Sequence, residues 1–117
     1  MGKARSVIDA GICGFRTTVV AESPDKRHVR FTIETGCDVV ARLVAALEER
    51  QPIDVYRETD ERKESVILAL VLETIAECRK SCAVPLGIFK AMQVVTGLAL
   101  PMDVHIEVGV DEAGANE

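Results

Sequence analysis

The chain has 117 residues and a formal net charge of -5, with 48% hydrophobic, 28% charged and 3% aromatic residues. This length supports one hydrophobic core but not two independent ones. The acidic charge and the scarcity of aromatic residues argue against a nucleic-acid-binding protein, because a surface that follows phosphates needs clustered Lys and Arg.

Membrane insertion and secretion are also not expected. The longest apolar run, Val66 to Leu72, is far shorter than the roughly 20 residues that a transmembrane helix requires. The opening MGKARSVID lacks the n-region and apolar h-region of a signal peptide. We therefore predict a cytoplasmic protein with no membrane partner.

The first third of the chain has the pattern of β-strands. The runs SVIDA and FRTTVVAE are separated by Gly11-Ile12-Cys13-Gly14, whose glycines indicate a tight turn or bulge. Ser23-Pro24-Asp25-Lys26 is a turn signal, and the following strand alternates, with Val29, Phe31 and Ile33 on one face. These features predict a β-hairpin with one solvent-facing side.

Two helices are predicted in the middle of the chain. The first begins in the segment Thr35-Gly36-Cys37-Asp38 and stops before Pro52. The second is capped by Thr59 or Asp60 and runs to about Arg79. Its apolar residues surround most of its circumference, so we expect it to be the most buried helix.

A third helix and a final strand complete the predicted elements. Pro85 suits the first turn of a helix and Gly97 the position just past its end, where Leu98 adds a hydrophobic contact. After Pro101, apolar and polar residues alternate again, which predicts a strand with Val104, Ile106 and Val108 facing inward.

This order of elements predicts the fold class. Residues 1–110 are expected to form a single α+β domain, a two-layer sandwich of three or four antiparallel or mixed strands covered on one face by three helices. The acidic tail at residues 111–117 has nothing to bury and is expected to be disordered. Exposed strand edges and an acidic surface permit a homodimer.

Four cysteines carry the chemistry that the sequence offers, and each lies at a boundary between predicted elements. They are Cys13, Cys37, Cys78 and Cys82. Boundary positions in a two-layer fold tend to share one end of the sandwich, so we predict that all four converge there. If the last two share one helical turn, their Cβ atoms lie about 5 to 6 Å apart, close enough for one metal or cluster.

Three interpretations of these cysteines remain open. The first is a metal site that holds an iron–sulfur cluster or Zn²⁺ through all four thiolates. The second is a thiol redox or sulfur-carrier protein that uses Cys82 with Cys78 and has a redox or sulfur-transfer protein as its partner. The third is an interaction module with structural cysteines. No phosphate-binding loop or nucleophile elbow is present, and no catalytic residue is predicted.

Two resemblances bear on this choice. Cys82-Ala83-Val84-Pro85 resembles the C-P-x-P motif of SirA/TusA-like sulfur carriers, which implies a persulfide role for Cys82, although the adjacent proline is missing. The segments GICGF, TGCDVV, CRKSCAVP and GLALPMDVHIEV together resemble an uncharacterised family of small four-cysteine proteins of anaerobic bacteria and archaea. That resemblance spans nearly the whole chain and implies no established activity.

Overall fold

Three long antiparallel strands form most of the sheet in a computed structural model that describes residues 2–75 and 81–111. A two-residue strand joins the sheet beside the third, and the order across the sheet is β1-β2-β3-β4. The strands are β1 (Gly2–Asp9), β2 (Arg16–Ser23), β3 (His28–Thr35) and β4 (Ile53–Asp54). The alternation predicted for β3 is confirmed, because Val29 and Phe31 are buried whereas Arg30 and Thr32 are exposed.

The helices pack on the inner face of this sheet. They are α1 (Asp38–Glu48), the short α2 (Val55–Thr59), α3 (Val66–Thr74) and α4 (Val84–Val95). Helix α4 lies over β1 and β2, and α1 packs against β3 and α3. The predicted α+β sandwich, with three longer helices on one face of an antiparallel sheet, is therefore confirmed.

Helix α4 approaches β1 closely because it carries a glycine at the contact. Gly87 is buried, and a Cβ atom at this position would overlap the side chain of Ile8. The Ser6 hydroxyl donates a hydrogen bond of 2.8 Å to the carbonyl oxygen of Gly87. At the other end of the helix, Gly2 lies beside Val95, so α4 runs antiparallel to β1.

The end of α4 follows the prediction. Pro85 lies in its first turn, and Gly97 adopts a φ of 79° just past its C-cap. The N–H of Leu98 donates to Gln93 and that of Gly97 to Val94, the pair of bonds that defines a Schellman motif. The Leu98 side chain, which was expected to make a hydrophobic contact, is exposed.

The second predicted helix differs from the structure in its start and its burial. The residues between the two predicted helices form β4 and α2, and α3 begins after Ser65 instead of at the predicted cap, Thr59 or Asp60. The Ser65 hydroxyl accepts a hydrogen bond from the N–H of Leu68. Glu58 accepts further bonds from the N–H groups of Val66 and Ile67, so two side chains cap this helix. Leu68 and Leu72 are exposed, and in the described chain α4 buries more residues. The predicted end near Arg79 lies outside the described residues.

The predicted C-terminal strand is wrong for the described part of the chain. Residues 101–111 form no strand there, and each of them is exposed, including Val104, Ile106 and Val108. A strand needs a neighbouring strand for its backbone hydrogen bonds, and this segment has none within residues 2–75 and 81–111. Of the tail predicted to be disordered, residues 112–117 lie outside the described residues.

Asp25 organises the turn between β2 and β3. Its carboxylate bonds to the His28 ring at 2.7 Å and accepts the backbone N–H groups of Arg27 and His28 at 2.9 and 2.8 Å. These bonds, with the His28 side chain contributing most, hold the pKa of Asp25 well below its ordinary value. The turn signal at Ser23-Pro24-Asp25-Lys26 is confirmed.

We expect substitution Gly87→Val to destabilise the protein by about 2 kcal/mol, because the added side chain must displace Ile8 from a packed core. Urea denaturation would measure the change. Gly109→Val is the control, since its Cβ would meet nothing within 4 Å. Adding Ile8→Ala to Gly87→Val should recover part of the loss, and additive losses in the double variant would contradict the proposed contact.

The Asp25 turn predicts a pH dependence of stability. Because the folded pKa of Asp25 is lowered from 3.8, its contribution is present above that value and is lost as the pH falls through the folded pKa. The stability advantage of the wild type over Asp25→Asn should therefore shrink between about pH 6 and about pH 2.5. Urea midpoints of both proteins test this, with Glu61→Gln as an exposed control; a constant difference would contradict it.

Candidate functional site

The loops that carry two of the cysteines meet at one end of the sheet. Strand β1 ends at Asp9 and β2 begins at its register partner Arg16. Thr17 of β2 pairs with Thr35, the last residue of β3. Because Cys13 lies in the β1–β2 connection and Cys37 follows β3, both occur at this end of the sheet, which we call the cysteine end.

The start of α4 points to the same end. Gly87, in the first turn of this helix, lies beside Ile8 near the end of β1, whereas Val95 lies beside Gly2 at its beginning. Cys82, two residues before α4, is therefore also at the cysteine end. Three cysteines that are far apart in the sequence thus occupy one end of the fold, whereas Cys78 lies outside the described residues.

The connection that carries Cys13 is short, exposed and built on glycines. Gly11 to Cys13 form a single 3-10 turn, closed by a 2.9 Å hydrogen bond from the N–H of Gly14 to the carbonyl of Gly11. Both glycines have positive φ, 80° and 74°, a conformation that other residues rarely adopt. The Cys13 side chain is exposed, and its Sγ lies 3.8 Å from the carbonyl oxygen of Ala10.

A charged pair and an aromatic ring hold this loop at its base. The Arg16 guanidinium donates to both carboxylate oxygens of Asp9, at 2.8 and 3.2 Å. Their hydrogen bond lowers the pKa of Asp9 and raises that of Arg16. The Phe15 ring lies against Gly36, where an added Cβ would stand 3.3 Å from the ring. Residues 10–15, which we call the Cys13 loop, therefore contact the segment just before Cys37.

Cys37 and Cys82 lie in more protected positions. Cys37 is the N-cap residue of α1, but its side chain makes no capping bond; its N–H donates to the Thr35 hydroxyl at 3.2 Å. That hydroxyl also bonds to Thr17 at 2.8 Å, which links the ends of β2 and β3. Cys37 and Cys82 are half-buried and pack against the hydrophobic core.

The three described cysteines do not form a closed ligand set. Cys13, Cys37 and Cys82 are not in disulfides. Among residues 2–75 and 81–111, no three Cys, His, Asp or Glu side chains are grouped closely enough to hold a metal ion. The arrangement therefore offers thiols with different exposure at one end of the sheet.

The two histidines lie elsewhere, and the sequence did not indicate the charged cluster around one of them. His28 begins β3 at the opposite end of the sheet from the cysteines, bonded to Asp25. Beside it, Arg27 forms a two-bond ion pair with Asp54 and lies 4.8 Å from the centre of the Tyr56 ring. His105 is exposed, 3.4 Å from Glu107. The turn signal before His28 was the available clue to this cluster, which joins the hairpin to α2.

A cleft of about 560 Å³ lies along the outer side of β3, away from the cysteine end. Its lining is Glu22, Pro24, His28, Arg30, Phe31, Thr32, Gln51 and Pro52. None of the three described cysteines lines it. Within the described ranges, no helix has both the length and the apolar character that a membrane crossing requires.

We expect the three described thiols to react at different rates. Cys13 is exposed, whereas Cys37 and Cys82 are half-buried and require local opening before they react. Iodoacetamide should therefore label Cys13 roughly tenfold faster than the other two. Peptide mass spectrometry after timed labelling measures the order, and labelling in urea gives the intrinsic rates. Equal rates in the folded protein would contradict the described exposure.

A model of a family of unknown function (DUF6951) matches residues 4–108 of this chain. The matched range includes all four cysteines. Neither the curated proteins nor the solved structures contain a match to this chain.

Proposed function

Since the chain belongs to this family of unknown function, DUF6951, we propose its role from its own residues: it binds a transition metal or an iron–sulfur cluster at the cysteine end. The ligands are Cys13, Cys37, Cys78 and Cys82. Four thiolates are a donor set that suits zinc or an iron–sulfur cluster. A reducing compartment such as the cytoplasm keeps these thiols available.

The observation that supports this proposal is the shared position of three cysteines that are remote in sequence. The β1–β2 connection, the start of α1 and the approach to α4 all reach one end of the sheet. Cys13 ends the 3-10 turn between β1 and β2, Cys37 is the N-cap residue of α1, and Cys82 precedes α4 by two residues. Cysteines that serve only to fill the core need no such common position.

Metal binding at this site requires the Cys13 loop to close. Thiolates that share one zinc ion lie about 4 Å from each other, and the described cysteines are not grouped in this way. Gly11 and Gly14 give the loop backbone freedom on both sides of Cys13. The Phe15 contact with Gly36 already directs the loop toward the segment before Cys37. Binding is therefore coupled to ordering of this end of the fold.

The first test is elemental and spectroscopic. Protein purified without oxygen and without added metal should contain zinc, or iron with acid-labile sulfide, in near-stoichiometric amounts. The metal-free protein should then bind Co²⁺ with thiolate-to-metal charge-transfer absorption. Four freely titrating thiols, with Co²⁺ binding no tighter than in a variant that has all four cysteines replaced by serine, would overturn the proposal.

Single substitutions separate this function from the thiol alternative. Each of Cys13→Ser, Cys37→Ser and Cys82→Ser should weaken Co²⁺ binding by roughly a hundredfold or more, since even outer-shell changes cost up to that amount. Ser81→Ala, beside Cys82, is the matched control. If Cys13→Ser and Cys37→Ser bind normally and Cys82→Ser alone abolishes persulfide or disulfide formation, the redox or sulfur-carrier role is the correct one.

Removing the metal should lower stability. A ligand that binds only the folded state at about a thousand times its dissociation constant adds about 4 kcal/mol. A chelator should therefore lower the melting temperature of the loaded wild type, with no effect on the variant lacking all four cysteines. Equal melting temperatures of loaded and chelator-treated wild type would contradict coupling between metal binding and folding.

A further inference from the structure

The segment after α4 exposes an apolar face that a folded chain normally covers. Apolar side chains alternate with polar ones along residues 101–111, which we call the C-terminal segment; the apolar set is Met102, Val104, Ile106, Val108 and Val110. Ile106 is 67% exposed and Val108 is 92% exposed. Such a contiguous apolar surface marks an interaction site, and the period of two is that of a β-strand with one buried face.

The sheet has one edge that is suited to receive a strand. Within the described residues β1 pairs only with β2. The N–H of Ala10 bonds across to Phe15, so by alternation the backbone groups of the odd-numbered residues of β1 face away from β2. An uncovered edge of this kind is a template for strand addition.

The opposite edge is already covered in part. Strand β4 pairs with β3 at His28 and Val29. Next along the strand, the backbone N–H of Phe31 donates to the side-chain oxygen of Gln51. The β1 edge is therefore the better receptor.

The β1 edge and the C-terminal segment are complementary in charge and polarity. Lys3 and Arg5 project from the outer face of β1, whereas Ala4, Ser6 and Ile8 face the core. A strand added with its apolar face toward the core places Asp103 and Glu107 on the outer face beside those cations. Cross-strand pairs of opposite charge are favourable. Lys3 already lies 3.9 Å from Glu22, so Arg5 is the stronger partner.

The inner layer also offers contacts to such a strand. Helix α4 lies over β1, with Gly87 at the closest approach. Val94, seven residues later on the same side of the helix, is half-buried. The apolar side chains of an added strand would extend the core beneath this side of α4.

We propose that the C-terminal segment of one copy adds as a fifth strand to the β1 edge of a second copy, and that the exchange is reciprocal. In the single chain the segment is exposed throughout its length and pairs with no strand among the described residues. At about 3.3 Å per residue it is long enough to cover all of β1. A two-fold symmetric exchange satisfies both edges and buries both apolar faces. This inference does not depend on metal binding.

Sedimentation of the full chain over a range of concentrations tests the proposal. The wild type should reach twice the monomer mass of 12.7 kDa. Ile106→Asp should raise the dimer dissociation constant about a hundredfold or more, since a symmetric dimer loses two buried side chains. Ile12→Asp is the matched control, because Ile12 is fully exposed and lies at the cysteine end. A wild type that stays monomeric, or a dimer indifferent to Ile106→Asp, would overturn the proposal.

A charge exchange tests the pairing itself. Lys3→Glu with Arg5→Glu should weaken the dimer, and adding Asp103→Lys with Glu107→Lys should restore at least tenfold of the loss. If the second pair of substitutions does not restore dimer affinity, the proposed charge pairing on the outer face is refuted. Hydrogen exchange gives a second readout: protection of residues 102–108 that disappears on dilution supports exchange between copies. Equal protection in a monomer would show instead that the segment docks on its own β1.

Discussion

The close approach of α4 to β1 determines how the rest of the molecule is arranged. Because Gly87 has no Cβ, the helix backbone can contact the Ile8 side chain directly. The Ser6 hydroxyl donates a hydrogen bond to the Gly87 carbonyl at the same place. Because the helix is held there and ends beside Gly2, its direction is set by the strand beneath it. One end of α4 thus delivers Cys82 to the cysteine end, and the other delivers the C-terminal segment to the opposite end of β1.

Much of the fold could be predicted because local signals agreed with tertiary packing. In β3 the alternation of apolar and polar residues matches burial, and Pro85 and Gly97 bracket α4. The start of α3 was missed because Ser65 is helped by Glu58, a capping partner that belongs to another helix. The C-terminal alternation predicts a strand of the sheet, but a period of two does not indicate which edge of the sheet, if any, lies within reach.

The candidate site was predictable in its location more than in its geometry. Each cysteine could be assigned to an element boundary, and for three of them the strand register and the direction of α4 account for a common end. The distances from Cys13 to the other two depend on the conformation of the Cys13 loop, where two glycines allow several backbone paths. Cys13 is exposed, whereas Cys37 and Cys82 are half-buried because they pack against the core. The spacing of cysteines in the sequence does not encode this difference.

Gln51 has a consequence for how large an assembly of this protein can become. By accepting the Phe31 N–H, its side chain occupies a backbone donor that a neighbouring chain would otherwise use, next to the short strand β4. A sheet with both edges open can elongate indefinitely into a fibre, whereas copies that have one edge partly occupied join through the other edge and then stop. The Gln51 side chain therefore favours closed, finite assemblies over polymerisation.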